Sequence, residues 1–483
     1  MVNPQDLQRL SPYLHEIPQD WREDMRVPAR LYASEAMLED IATDRSLEQL
    51  INTATLPGIV GHALAMPDAH QGYGFPIGGV AATALPDGVL SPGGVGYDIN
   101  CGVRVLTTSL DADEVRPQMN ALMDALSSQV PVGVGSSGAL RVSSQELQDV
   151  LRDGAEWAVR KGYGLRRDLE HTEDGGRLDA ADPAKVSERA LERGTDQIGT
   201  LGSGNHFLEV DRVSEVYDDE AAEAMGLRLN SVCVWIHCGS RGLGHQVCTD
   251  AVRAMQSAMK KYDITVPDRE LVCAPFSSPE AQAYFAAMAC AANYAWANRQ
   301  VIAHSVRESL MRVFGSKVRR DDLPMLYDVC HNIAKVERHT VDGQEMELVV
   351  HRKGATRAFG PGHPDVPEAL RELGQPVLIP GNMRSGSYVF LGTERGMADT
   401  FGSSCHGAGR VMSRTQARKQ VRGQTLREEL EQAGIVVRAG SMSGLAEEGP
   451  HAYKDVNLVV DVVHEAGIAR KVARTQPLGI MKG

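Results

Sequence analysis

Phe401-Gly-Ser-Ser-Cys-His-Gly-Ala-Gly-Arg410 is the stretch from which the rest of the chain is read. His406 stands between Cys405 and a Gly-Ala-Gly run that ends in Arg410. Glycines without Cβ let a phosphate approach the backbone closely, and successive N–H groups there can form an anion-binding nest. The residues from Val411 to Arg422 predict the start of a helix whose N-terminus would aim at the same anion. An imidazole beside a phosphate cradle can orient a phosphate, move a proton, or attack phosphorus to give a phosphoramidate. Taken alone, the stretch is equally a glycine turn around a buried histidine, so the rest of the chain has to decide.

With 42% hydrophobic and 23% charged residues, the 483-residue chain has the makeup of a globular protein with a real core. No uninterrupted apolar run is long enough to predict a transmembrane helix. The N-terminus, Met1-Val-Asn-Pro-Gln-Asp, lacks the basic and apolar regions of a signal peptide, so the expected compartment is the cytoplasm. A net charge of −13 argues against bulk, non-specific nucleic-acid binding but leaves room for a local basic groove. The eight cysteines contain no Cys-x-x-Cys pair and read as reduced thiols. One lying in a glycine-rich polar loop is therefore a candidate ligand.

Residues 1–34 read as an irregular, proline-dotted arm, followed by a helix from Ser34 to Thr53. Together, residues 1–60 are expected to pack as an arm and helix on a body formed by 61–483. Two glycine-rich segments come next, Met66–Gly79 and Ser91–Arg104, with a strand from Val103 to Ser109 leaving the second. Helices are expected over Gln118–Ser128, Ser144–Lys161, Gln246–Lys261 and Pro279–Phe314. Arg167 to Asp182 is polar and reads as a surface loop. Leu201-Gly-Ser-Gly-Asn-His-Phe-Leu-Glu-Val210 is a glycine loop running into a strand. Ser231–Cys238 alternates like a strand and ends at His237 and Cys238, before the loop Gly239–Gly244. Met325–Val350 reads as a strand and then a hairpin closed at Val341-Asp-Gly343. Strands near Pro376–Ile379 and Tyr388–Gly392 precede the opening stretch, and helices are expected over Val411–Gln432 and Val456–Ala473. Short strands, helices and glycine loops alternate without an internal repeat. The expected fold class is α+β, a single large domain with mixed sheets, flanking helices and a metal-lined cleft.

Further polar residues sit where loops meet strands: Asp98 and Cys101 in one loop, His206 after Gly-Ser-Gly-Asn, His237 at a strand end, and His331 beside Asn332. Together they offer oxygen, sulfur and nitrogen donors. A carboxylate with imidazoles suits Mn²⁺ or Zn²⁺, and a single thiolate with an Asp can bridge two ions. Sequence spacing does not show that they converge. Each histidine taken alone reads more readily as a core or loop residue with a hydrogen-bonded ring.

On these residues the chain resembles the RtcB family of RNA ligases, which join ends bearing a 2′,3′-cyclic phosphate or 3′-phosphate to ends bearing a 5′-hydroxyl. The matching pieces are Met66–Gly79, Gly93–Arg104, Leu201–Glu209, His237–Gln246, Cys330–Asn332, His351–Arg357, Phe401–Arg414 and Ala452–Gly483, in the family's order. The resemblance implies that Asp98, Cys101, His206, His237 and His331 hold two Mn²⁺ ions, with Cys101 and Asp98 shared between them. It implies that His406 attacks the α-phosphorus of GTP and carries GMP. Implied nucleotide contacts are Asn205, His206, Phe207, Glu209, His331 and Asn332, then Pro380, Gly381, Asn382, Met383 and Ser387. They continue with the run His406, Gly407, Ala408 and Gly409, and with Tyr453 and Lys482. Arg193, Arg241, Arg410 and Arg414 match basic positions near RNA or phosphate. Implied partners are RNA with those ends, GTP, and an archease-type activating protein; no membrane is implied.

One loop departs from the pattern. Pro380–Tyr388 carries Asn382 and Arg384 where the family usually has Ser and Gly. Asn382 can replace a serine as a hydrogen-bond partner, whereas Arg384 is bulkier and charged. The reading is a GTP- and Mn²⁺-dependent RNA ligase acting in tRNA splicing or RNA repair. One alternative is a divergent member that repairs other cleaved RNAs. Another is a metal-dependent phosphohydrolase, which would not need His406, Glu209 and Lys482 together. A non-catalytic RNA-binding scaffold would predict damage to these positions, and none is damaged.

Overall fold

Ser278, Pro279 and Gly315 bracket the longest helix, Pro279–Phe314, in the computed structural model, which describes residues 4–133, 135–138 and 140–483. The Ser278 side chain accepts the Ala281 N–H, Pro279 occupies the first turn, and Gly315 ends the helix at a positive φ of 58°. Its alanines let neighbours close in, so Asn298, Arg299 and Gln300 are all fully buried. The helix packs on Ser144–Arg160, which kinks at Gly154 (φ 56°). A Cβ at Gly154 would lie 2.2 Å from the Gly176 carbonyl oxygen, so only glycine fits there.

Among the described residues the strands form two large sheets. The first runs Gln8–Ser11, Leu14–Ile17, Ala29–Tyr32, Ile59–His70, Ile77–Ala84, Gln344–Lys353, Asn332–Val341. The second runs Met325–Cys330, Gly102–Asp111, Ser231–Cys238, Phe207–Val216, Ala469–Lys482, Ser387–Gly392, Pro376–Ile379, with Val436–Ala439 added in parallel to Ala469–Lys482. This is the mixed α+β architecture expected from the sequence. The predicted hairpin closes at Asp342 (φ 49°) and Gly343 (φ 78°), the pair of positive φ values a two-residue turn requires.

The order of the second sheet positions the site. Its neighbouring strands alternate in direction, so starts and ends meet along one edge. Gly102 pairs with both Cys238 and Cys330, His237 with Phe207, and Phe207 with Lys482. Cys101, His237, His206, His331 and Lys482 therefore all reach that edge. His331 is the residue at which the chain leaves the second sheet for the first.

Several expectations are corrected. The segment before residue 34 is not irregular, since it supplies three strands and Ala29–Tyr32 pairs in parallel with Ile59–His70. The helix expected over Ser34–Thr53 breaks into Leu38–Ile41 and Ser46–Thr53. The span Arg167–Asp182 is not merely a surface loop. Asp168 and Glu173 in it are fully enclosed, Asp168 bridged by Arg307 through two bonds of 2.6 and 2.7 Å, and Glu173 paired with Lys335 at 2.6 Å. Charged composition suggested exposure, but partners far along the chain neutralise it. The helix expected over Val411–Gln432 is two, Arg414–Gln420 and Gly423–Gln432. The last expected helix, Val456–Ala473, ends at Glu465, and after Gly467 the chain enters the strand Ala469–Lys482. Ala, Arg and Lys there favour a helix, but pairing with strands on both sides overrides that local preference.

Candidate active site

Asp68 and His406 define the centre of the site. Asp68 lies near the end of Ile59–His70, and the His406–Arg410 loop drapes over it. A Cβ at Gly409 (φ 75°) would lie 2.3 Å from the Asp68 carbonyl oxygen. Oδ2 of Asp68 faces Nδ1 of His406 at 2.6 Å and accepts the His406 and Gly407 backbone N–H groups at 3.0 and 3.3 Å. With the proton on Nδ1, the Nε2 lone pair is left for the cleft. The expected phosphate nest is thus partly spent on Asp68. The helix that follows starts only at Arg414, capped by Ser413.

Two donor groups lie beside His406. Cys101, His237 and His331 present sulfur and nitrogen atoms within 4.8 Å of one another, as do Asp98, Cys101 and His206, so Cys101 is common to both. Cys101 Sγ is 3.2 Å from His237 Nε2 and 3.4 Å from His206 Nε2. His206 Nε2 is 2.7 Å from Asp98 Oδ2, and His237 Nε2 is 3.3 Å from His331 Nε2. The rings of His331 and His406 have centroids 4.8 Å apart, which places the donors against the candidate nucleophile.

Burial and charge set the ionisation. Burial, then the charge of His206, lowers the His237 pKa well below the usual imidazole range; burial, then His406, does the same for His331. Burial pushes the Cys101 thiol up to about 12, helped by Asp98. For Asp98 burial acts upward, but the charge and hydrogen bond of His206 outweigh it and hold the carboxyl low. Two neutral imidazole nitrogens and a thiol converging in a buried space are a donor set that a divalent cation satisfies. Sulfur, nitrogen and carboxylate together suit Mn²⁺ or Zn²⁺. The shared thiol and the two groups around it fit a pair of ions.

Around His406 opens a cleft of about 810 Å³. It is lined by Asn205, Phe207, Glu209, His237, His331, Asn332, Pro380, Gly381, Asn382, Met383, His406, Gly407, Ala408, Gly409, Arg410, Arg414, Tyr453 and Lys482, along with residues of the rim. Among the described residues the Glu209 carboxylate has no hydrogen-bond partner, and burial followed by the charge of Asp211 raises its pKa well above the usual range. Lys482 sits over the Phe207 ring, 5.3 Å from its centroid, with Nζ 3.4 Å from the Asn205 carbonyl oxygen. Asn332 donates to the Asp98 carbonyl at 3.0 Å and accepts the Gly354 N–H at 2.8 Å, tying the Asp98 loop to the cleft.

Some predicted residues lie elsewhere. Asp98, Cys101 and His206 sit behind the cleft wall. Ser387 is buried beneath the Pro380 loop, where it accepts the Gly381 N–H at 3.2 Å. Asn382 accepts the N–H groups of Arg384 and Ser385 at 3.0 and 2.9 Å, closing that loop on itself. The Arg384 side chain is exposed and does not line the cleft. Arg193 donates to Gln246 at 3.2 Å and Arg241 to Thr200 at 3.2 Å, both outside the cleft. Arg410 and Arg414 share a buried acid, Glu448, at 3.1 and 3.0 Å. The Tyr453 hydroxyl also donates to Glu448.

Sequence reasoning missed Asp68, Glu448 and Arg299. Asp68 stood inside the quoted Met66–Gly79 motif, and a carboxylate in a glycine segment was the available signal. Glu448 sits in Ala446-Glu-Glu-Gly-Pro450, where nothing local marks it. Arg299 lies in mid-helix, yet it donates to the carbonyls of Asn100 and Cys238 at 2.8 and 2.9 Å and so braces the backbone next to Cys101 and His237.

With this geometry in hand, known proteins are informative. A family model described as tRNA-splicing ligase RtcB matches residues 49–483. The tRNA-splicing ligase RtcB of Thermococcus kodakarensis is 57% identical over 477 residues, 99% of both chains. That of Archaeoglobus fulgidus is 55% identical over 479 residues, again 99% of both. The RNA-splicing ligase RtcB of Mycobacterium tuberculosis is 55% identical over 438 residues, 90% of this chain and 100% of that protein.

Proposed function

Because this chain belongs to the RtcB family over nearly its whole length, we propose that it is an RNA ligase. In this reading it joins 2′,3′-cyclic-phosphate or 3′-phosphate ends to 5′-hydroxyl ends, using GTP and Mn²⁺, in tRNA splicing or RNA repair. The observation that carries the chemistry is the 2.6 Å contact between Asp68 Oδ2 and His406 Nδ1, beside a cleft large enough for a nucleotide.

Water first opens a 2′,3′-cyclic phosphate: a new P–O bond forms, the bond to the 2′-oxygen breaks, and that oxygen takes the proton. The resulting phosphate monoester lacks a good leaving group, so the 3′-phosphate has to be activated. His406 Nε2 attacks the α-phosphorus of GTP; an N–P bond forms, the bond to the β-phosphate breaks, and pyrophosphate leaves. Asp68 holds the Nδ1 proton and balances the positive charge that the ring acquires. A 3′-phosphate oxygen of the RNA then attacks the same phosphorus, the N–P bond breaks, and GMP passes to the RNA end. The 5′-hydroxyl attacks the 3′-phosphorus, loses its proton, and expels GMP. Asp98, Cys101, His206, His237 and His331 would hold the two Mn²⁺ ions, which when bound polarise phosphoryl oxygens and help activate nucleophiles.

Guanine selection falls to Glu209 and Lys482. Guanine offers donors at N1 and N2 and an acceptor at O6, which an ionised carboxylate and an ammonium complement and which adenine lacks. Phe207 and Tyr453 add aromatic contact that does not discriminate between bases. Asn205, Asn332 and the Pro380–Met383 loop line the remaining wall. Arg193 and Arg241 serve RNA on the outer side of the Asp98 loop. A cytoplasmic location and an archease-type activator fit this reading, and among the described residues no helix is long and apolar enough to cross a membrane.

The test is incubation with α-labelled GTP and Mn²⁺. The expected product is labelled protein whose bond is acid-labile and alkali-stable, as for a phosphoramidate. Added RNA 3′-phosphate should remove the label. Release of inorganic phosphate from RNA with no labelled protein would favour the phosphohydrolase instead.

A further inference from the structure

Between Asp399 and Glu428 the chain contains no Asp or Glu, yet it carries Arg410, Arg414, Arg418, Lys419, Arg422 and Arg427. In a chain of net charge −13 that is a local reversal of sign. The segment begins at the candidate nucleophile and leads away from it. Ala417 is the one buried residue of the helix Arg414–Gln420, so the rest of its surface faces outward. Arg418 is 45% exposed and paired with Glu447 at 3.3 Å. Lys419 and Arg422 are exposed, and among the described residues no ion pair or hydrogen bond holds their side chains.

A ligation needs two strands at one phosphorus. Arg193 and Arg241 lie beside the Asp98 loop and the Gly202 turn. The helix Arg414–Gln420 starts at the neighbouring Gly204 and leads away from the His406 loop, which forms the lip of the cleft. The inner cations of that loop are engaged: Arg410 bonds Glu448, the Glu447 carbonyl and the Met412 carbonyl. The cations free to meet phosphates are therefore the outer ones.

Resting on the ligase reading, we infer that Arg418, Lys419 and Arg422 form a track for the backbone of the RNA strand that bears the 3′-phosphate. That strand, not the 5′-hydroxyl strand, must take GMP from His406, and the loop carrying His406 runs directly into this helix. Outward-facing cations, Lys419 and Arg422 without a partner among the described residues and Arg418 able to exchange its Glu447 partner for a phosphate, bind phosphates without regard to sequence and release counterions as they do so.

The experiment uses the full chain with Arg418→Gln, Lys419→Gln and Arg422→Gln combined. Labelling by α-labelled GTP without RNA should match the parent, which shows that the variant is folded and the nucleotide site intact. With a dodecamer bearing the 3′-phosphate, KM should rise about tenfold, and the slope of log affinity against log salt should flatten by roughly 2, as for three lost contacts to a single strand. A dinucleotide 3′-phosphate, too short to reach the helix, should be joined equally by variant and parent. Charge-conserving exchanges (Arg418→Lys, Lys419→Arg, Arg422→Lys) should restore the long-strand KM. An unchanged KM and salt slope would overturn the inference, and so would a defect that follows the length of the 5′-hydroxyl strand. If the parent itself takes no label from GTP, the ligase reading fails first, and that result is separate from any effect on RNA.

Discussion

Asp68 and His406 are 338 residues apart in the chain, yet Oδ2 of one is 2.6 Å from Nδ1 of the other. The carboxylate also holds the His406 and Gly407 N–H groups. One side chain therefore fixes the tautomer, the ring orientation and the loop together. Asp68→Asn keeps the shape but removes the charge that balances an imidazolium. Labelling by GTP should slow by about 100-fold or more, by analogy with other carboxylate–histidine pairs. The measurement is single-turnover incorporation of label, and an unchanged rate would leave Asp68 with no part in the chemistry.

Cys101→Ala removes the one donor common to both metal groups. Mn²⁺ affinity measured by calorimetry should fall at both sites, and ligation should be lost. The apo protein should keep its melting temperature, because only one buried thiol is lost. Co²⁺ substitution gives an independent readout: the parent should show a thiolate charge-transfer band and the variant none.

Glu209 and Lys482 carry base choice. Glu209→Ala should weaken GTP use far more than metal binding, and the parent should reject ATP by about 10⁴-fold, because the wrong base leaves buried polar groups unpaired. Burial and Asp211 raise the Glu209 pKa in the free protein against the opposing charge of Lys482. Guanine bound to the ionised carboxylate draws it down again. Calorimetry in buffers of different ionisation heat should therefore show proton release growing as the pH is lowered toward that raised pKa. Equal adenylyl and guanylyl adducts would end this account of the pocket.

Glu173 has no exposed surface, and it meets Lys335 at 2.6 Å and Arg357 at 3.3 Å. Glu173→Ala leaves buried Lys335 and Arg357 to lean on the single acid Asp174 and should cost up to about 3–5 kcal/mol. Urea denaturation of the apo protein checks this, and a loss within experimental error would show that Asp174 alone suffices.

Acid should destabilise the fold through its buried carboxylates. For Asp168, Asp328 and Glu337 burial acts upward on the pKa, but the arginine partners outweigh it and hold all three below their ordinary values of 3.8, 3.8 and 4.5. A depressed folded-state pKa means stability that is present above the unfolded value and lost as pH falls through the folded one. The urea midpoint should therefore hold between neutrality and about pH 4.5 as far as these groups are concerned, then drop steadily. Glu337→Gln should make that acid drop shallower.

The sequence by itself determined the long helix Pro279–Phe314, the Val341–Gln344 turn, the mixed fold class and the residue types of the site, because caps, turn glycines and alternation are local properties of the chain. It marked Asp98, Cys101, His206, His237, His331 and His406 through their places where loops meet strands and through the resemblance to a known family. Only the tertiary structure decided that these residues meet, since their convergence comes from the order of strands in one sheet, and no spacing in the chain encodes that order. It also decided that Arg167–Asp182 holds a buried ion network, because the charges that neutralise it come from distant segments. The strand Ala469–Lys482 is the sharpest instance. Its first residues, Ala469–Ala473, favour a helix locally, and hydrogen bonds from strands on both sides make it a strand that delivers Lys482 to the cleft. Asp68 belongs with these, since a carboxylate becomes a partner of His406 only when the first sheet brings it beneath the loop.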